Sequence, residues 1–120
     1  MYLYICTMNT ENAKAQMRKG ILEMCILGII RKTEAYPSDI ISQLKDAELI
    51  IVEGTLYPLL TRLKNAGLLD YHWKESTSGP PRKYYSITEK GEVFLNDLTE
   101  KWSKLVKAVT HSLKNTDTNE

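Results

Sequence analysis

The sequence predicts a mainly α chain of the α+β type, in which one two-stranded β-hairpin interrupts a series of helices. Three observations carry this. Apolar residues recur at three- and four-residue spacing up to Gly67 and again after Thr88. Between those points the period drops to two. Pro37, Gly67 and the Gly79-Pro80-Pro81 run fall where one pattern gives way to the next.

Residues 10–32 read as a helix, with Asn9 or Thr10 as N-cap and Glu11 in the first turn, where the dipole favours an acid. It carries two apolar stripes, one of Leu22, Cys25, Ile26, Ile29 and Ile30, the other of Met17, Ile21, Met24 and Gly28. One small domain cannot cover both, so a partner chain is expected against the second. Pro37 opens a short helix to about Asp46, with Ile40, Ile41 and Leu44 inward and Ser38, Asp39 and Gln43 outward. A third helix runs from about Glu53 to Ala66, buries Leu56, Leu59, Leu60 and Leu63, and stops at Gly67, which can take positive φ. Pro58 is expected in about its first turn, because deeper inside it would remove a backbone hydrogen bond.

Leu69, Tyr71 and Trp73 then alternate with Asp70, His72 and Lys74 as a half-exposed strand, and Arg82 to Thr88 returns with Tyr85 and Ile87 inward. The tip between them, STSGPP, is longer than a tight two-residue turn. Thr88 caps a last helix reaching about Leu113, in which Leu95, Leu98, Trp102, Leu105 and Val109 form a short coiled-coil seam. Such a seam needs another helix alongside. The order is that of a winged helix-turn-helix over residues 10–88, with a two-stranded β wing, followed by a C-terminal dimerisation helix over 89–113. Residues 1–9 and 114–120 are read as flexible ends.

Composition bounds the function. A chain of 120 residues with 42% apolar and 26% charged side chains has the size and make-up of one globular domain. The longest apolar run, Cys25 to Ile30, is too short for a membrane span, so no membrane partner is expected. The opening MYLYICTM lacks a signal-peptide pattern, and Met8 is a candidate native start with residues 1–7 added ahead of it. Cys6 and Cys25 cannot make a disulfide framework, which fits a cytoplasmic location. Net charge is only +1, but its distribution is uneven: five basic and two acidic side chains in residues 1–32, one and four in 33–52, six and four in 53–90. Localised positive charge suits a nucleic-acid footprint on one face. His72 and His111 have no metal-ligand spacing with either cysteine, and no phosphate loop or nucleophile signature occurs, so neither enzyme activity, metal nor cofactor is expected.

The segment EGTLYPLLTRLKNAGLL, the wing GPPRKYY and the following ITEKG together resemble the PadR family of bacterial transcriptional regulators, specifically the small subfamily with one C-terminal helix. The resemblance covers about Thr10 to Leu113. It implies a homodimer whose first and last helices interlock, binding a palindromic operator in double-stranded DNA, usually as a repressor released by a small molecule. It also implies a phosphate contact for Tyr57, for which half-buried packing is an equal alternative.

Opposite its leucines the third helix presents Thr55, Pro58, Thr61, Arg62 and Asn65, with Tyr57 at the flank. Arg62 can pair with guanine or grip a phosphate, the threonines can bond phosphates or base edges, and Pro58 can pack on a thymine methyl. An ordinary solvated helix face would carry similar residues; the hairpin and the resemblance favour DNA. Arg82 and Lys83 at the wing base are candidates for phosphates or a minor groove, although adjacent strand residues point to opposite faces. Of Tyr84 and Tyr85, one is expected in the core and Tyr84 at the interface. Ser38, Gln43, Lys14, Arg18 and Lys19 are further phosphate candidates.

Trp102 lies in the seam of the last helix. In a dimer two such indoles would wall a slot for a planar aromatic or cationic effector, with Met17 and Met24 lining it; a tryptophan simply filling a dimer core is the plainer alternative. Met17, Ile21, Met24, Leu95, Leu98, Trp102, Leu105 and Val109 are the expected dimerisation residues. The competing function is a winged helix used as a protein-interaction module without DNA binding, which the near-neutral charge permits.

Overall fold

The computed structural model describes residues 9–114; the expectations for residues 1–7 and for the C-terminal end beyond Lys114 lie outside them. Along the described residues run α1 (Thr10–Lys19), α2 (Leu22–Lys32), α3 (Pro37–Asp46), α4 (Glu53–Asn65), β1 (Leu69–Ser76), β2 (Gly79–Ile87) and α5 (Glu89–Ser112). This is a mainly α winged helix with a two-stranded wing. No helix among the described residues is long and apolar enough to cross a membrane.

The single helix expected over 10–32 is two. Asn9 caps α1 by accepting the Asn12 N–H at 2.8 Å, and α1 ends at Gly20, whose N–H turns back to the Met17 carbonyl at 3.3 Å. Glycine is a poor helix former, and α1 buries no residue that would hold the two axes in line. Beyond the break, α2 is the central helix of the core, packed by α3, β2 and α5. It buries Leu22, Ile26, Leu27, Ile29 and Ile30, so Leu27, assigned to neither stripe, is core, while Cys25 is half-buried. Burial pushes the Cys25 thiol up from its ordinary pKa.

Pro37 occupies the first turn of α3, and the Asp39 carboxylate accepts the Tyr36 N–H at 3.1 Å. Ile40 and Leu44 are fully buried, with Ile41 packed beside them. Both α3 and α4 end in the same way: Glu48 (φ 64°) and Gly67 (φ 82°) turn left-handed, and the next N–H, of Leu49 or Leu68, returns to the Leu44 or Leu63 carbonyl. Leu56, Leu60 and Leu63 anchor α4 against α3 and β1, with Leu59 half-buried. Pro58 sits one turn deeper than expected, as the sixth residue of α4, so the bond to the Gly54 carbonyl cannot form.

The strands are antiparallel, pairing Leu69 with Ile87, Tyr71 with Tyr85, Trp73 with Lys83 and Lys74 with Arg82, with an irregularity between Lys74 and Ser76. Ala35 adds one bridge to Tyr85 through two hydrogen bonds of 2.9 and 3.1 Å, tying the α2–α3 link to the wing. Of Leu69, Tyr71 and Trp73 on β1 only Leu69 is buried, while on β2 the inward residues are Tyr85, buried opposite Tyr71, and Ile87, half-buried against the core. Trp73 is 60% exposed and Tyr71 is exposed too, because the hairpin runs outward past the end of the leucine core.

At the base of the wing the end of α4 and the start of α5 are clasped. The Thr88 hydroxyl accepts the Gly91 N–H at 2.9 Å and donates to the Gly67 carbonyl at 2.7 Å, while the Lys90 ammonium donates to the Ala66 carbonyl at 3.0 Å. From there α5 crosses α2, where Arg31 donates to the Asn96 side chain at 2.9 Å. Leu95, expected in the dimer seam, is 1% exposed and belongs to the chain's own core against α2. Farther along, Trp102, Leu105, Val106 and Val109 stay exposed, and the molecule measures 61 × 35 × 26 Å.

Candidate nucleic-acid interface

Because the leucines of α4 take one side of the helix, Thr55, Pro58, Thr61 and Asn65 are left exposed on the other, with Tyr57 beside them. Proline at the sixth position gives this face a stiff apolar step instead of a flexible side chain. Arg62 lies on the same side but is not free. Its guanidinium donates to Glu23 of α2 through Nε at 2.8 Å and Nη2 at 2.7 Å. Hydrogen bonding to that carboxylate, and then its charge, raise the Arg62 pKa further, so the guanidinium stays protonated.

Between α4, the start of α3 and the wing lies a cleft of about 520 Å³. Tyr36, Pro37 and Ser38 form one wall, Glu53 and Tyr57 the α4 wall, and Trp73, Pro81, Arg82 and Lys83 the wing. Arg82 and Lys83 point to opposite faces of the hairpin, as strand geometry requires, yet both border this cleft. Each charge is seated on aromatic rings: Arg82 lies 4.8 Å from the Tyr36 ring, and Lys83 lies 4.3 Å from Tyr71 and 5.6 Å from Trp73. Lys74 rests over Tyr84 at 4.6 Å, and Tyr84 stacks on Tyr36 with centroids 4.3 Å apart. Such seats hold long cationic side chains in place while leaving their heads solvated, an arrangement suited to a phosphodiester backbone.

Of the residues expected at an interface, Ser38, Tyr57, Arg82 and Lys83 come together in this cleft, and Thr55, Pro58, Thr61 and Asn65 extend the surface along α4. Gln43 and Tyr84 instead line a separate hollow of about 310 Å³ with Thr33, Glu34, Ala35, Asp39 and Ser42. Lys14, Arg18 and Lys19 lie away on α1. Tyr36 and Trp73 escaped sequence reasoning. Alternation places Trp73 only in the half-exposed row with Leu69 and Tyr71, and Tyr36 stands without a signal of its own beside the Pro37 helix start. The clustering of aromatics with Lys74, Arg82 and Lys83 was the available signal. As for an effector, Trp102 and Met17 are exposed on α5 and α1, while Met24 packs on the core of the chain itself.

Comparison with known proteins gives concordant matches. The sequence profile described as the Transcriptional regulator PadR-like family matches residues 26–97. A crystal structure of a PadR-like transcription factor from Bacteroides fragilis is 62% identical, over 83% of this chain and 97% of that one, with a TM-score of 0.71. A PadR family transcriptional regulator from Eggerthella lenta is 34% identical over 92% and 94% of the two chains, with a TM-score of 0.82. Bacillus subtilis PadR, solved in complex with operator DNA, is 27% identical over 66% of this chain and 46% of that one, with a TM-score of 0.61.

Proposed function

This chain belongs to the PadR-like family of transcriptional regulators, and from that premise we propose that it is a cytoplasmic homodimeric repressor that binds a palindromic operator. The observation that carries the reading is the cleft where Arg82, Lys83 and Tyr57 meet beside the exposed side of α4. A major groove admits a helix such as α4, with Thr55, Pro58 and Thr61 toward the base edges, while the wing follows the adjoining backbone. The Bacillus subtilis relative, solved on operator DNA, supports this use of the fold.

The exposed apolar residues of α5, Trp102, Leu105 and Val109, continued by half-buried Leu98, together with exposed Met17 of α1 and half-buried Ile21 between α1 and α2, support association of two copies. Two copies would set their α4 helices one turn of DNA apart, roughly 34 to 36 Å. A planar aromatic or cationic effector held beside Trp102 would release DNA by favouring a different spacing of the two heads, since ligand and operator then stabilise different dimer shapes.

Selection from a random duplex pool tests the reading. The expected product is a palindrome whose binding falls steeply with salt. A chain that enriches nothing in dilute buffer, but holds a protein partner independently of salt, is instead an interaction module.

A further inference from the structure

Glu23 and Arg62 stand on different helices, 39 residues apart in sequence, yet meet through two hydrogen bonds. Which atoms are used matters. The carboxylate takes Nε and one hydrogen of Nη2, the side edge of the guanidinium. Arginine carries five N–H donors in a planar fork, so three remain, among them the adjacent Nη1 and Nη2 hydrogens of the end edge. That parallel pair is the one suited to guanine O6 and N7. The side-chain exposures are unequal, 72% for Arg62 and 24% for Glu23, so the carboxylate lies behind and the guanidinium stands outward.

Resting on the DNA-binding reading above, we propose that Glu23 is a positioning and specificity-determining residue, which holds Arg62 with its end edge presented to a guanine. The pairing acts twice. A long side chain that would otherwise sample many rotamers is preset, so less entropy is lost when it docks. Its charge is also offset by the carboxylate, so its attraction to any passing phosphate weakens while its directional donors remain. Arg62 therefore contributes to choice among sequences more than to affinity for DNA in general, whereas Arg82 and Lys83, which sit on neutral rings, contribute the non-specific part.

The test uses the full chain and its Glu23→Gln, Arg62→Ala and double variants on the selected operator and on operators with each guanine replaced in turn. Glu23→Gln is expected to tighten binding to unrelated duplex, to steepen the salt slope by about one, and to reduce discrimination at one guanine position about tenfold. Arg62→Ala should abolish discrimination at that same position, and adding Glu23→Gln to it should change nothing more. If Glu23→Gln lowers only the melting temperature, leaving salt slope and base preference as they were, the pair is a structural strut and the proposal is overturned. A wild-type chain that selects no duplex removes the DNA-binding reading and this inference together, which separates that failure from the other.

Discussion

Gly91 of α5 lies directly against the backbone of Leu68, so closely that a β-carbon added to Gly91 would overlap the Leu68 carbonyl oxygen and come within 2.8 Å of Ile87 Cγ1. The contact sits inside the clasp formed by Thr88, Gly67, Lys90 and Ala66. It therefore fixes where α5 leaves the winged helix.

Backbone cannot yield as a flexible side chain can, so Gly91→Ala is expected to cost about 3 kcal/mol, at the upper end for overpacking. Urea denaturation followed by circular dichroism measures this. Gly54→Ala is the contrast: nothing lies within 4 Å of the added carbon, and alanine favours a helix, so it should be neutral or stabilising by up to about 1 kcal/mol. Equal effects at the two glycines would show that the clasp is loose.

The seat of Lys83 on Tyr71 and Trp73 makes a prediction about the wing. Lys83→Ala should weaken every duplex alike and make the slope of log affinity against log salt shallower by about 0.9, the share of one phosphate contact. Trp73→Ala leaves the charge but removes part of its seat, an interaction of about 0.5 to 1 kcal/mol, so affinity should fall a few-fold with little change of slope. Fluorescence anisotropy across a salt series separates the two. An unchanged slope for Lys83→Ala would mean that the wing stands clear of the phosphates.

Much of this architecture was legible because it rests on local rules. The change of period after Gly67, the left-handed stop at that glycine and the Thr88 cap each involve residues a few positions apart, and each stands where the sequence implies. What escaped depends on how far one element reaches over another. Alternation correctly set Leu69, Tyr71 and Trp73 on one side of β1, but could not reveal that Leu69 alone of the three reaches the core. Leu95 fits a seam spacing, yet α2 covers it within the same chain. The Glu23–Arg62 pair had no sequence signature, since an ion pair between distant helices leaves no periodic trace. In the cleft, Tyr57, Arg82 and Lys83 were legible by type, and only the fold brought Tyr36 and Trp73 beside them.

Two ionisable groups predict behaviour in alkali. Burial pushes Cys25 above the ordinary thiol value of 9.0, and burial first, then Tyr71 and Tyr57, push Tyr85 above 10.0. The folded state thus holds these protons more tightly than the unfolded state. Stability is fully present below the ordinary values and is lost as pH rises through them toward the folded ones. The urea midpoint should be level between about pH 6 and 8 and fall above about pH 9, with Cys25→Ala removing the first part of the fall. A Cys25→Ala curve parallel to wild type throughout would show that the thiol is solvated.

Glu48 is the one non-glycine residue with positive φ among the described residues, at 64°. The surrounding hydrogen bonds hold it there: its own N–H reaches the Lys45 carbonyl at 2.9 Å, and the Leu49 N–H reaches Leu44 at 2.7 Å. A side chain in this conformation costs roughly 1 to 2 kcal/mol through the contact of its β-carbon with the backbone. Glycine removes that contact but gives the unfolded chain more freedom, which returns about 0.4 to 1 kcal/mol. Glu48→Gly should therefore raise stability by up to about 1 kcal/mol, while Glu48→Val, branched at the strained carbon, should lower it by at least as much. Gly67→Ala, at φ 82° in the matching turn after α4, should also destabilise, by about 1 kcal/mol. Urea midpoints of the three variants check the ordering, and a Glu48→Val protein as stable as Glu48→Gly would show that the turn after α3 relaxes out of the left-handed region.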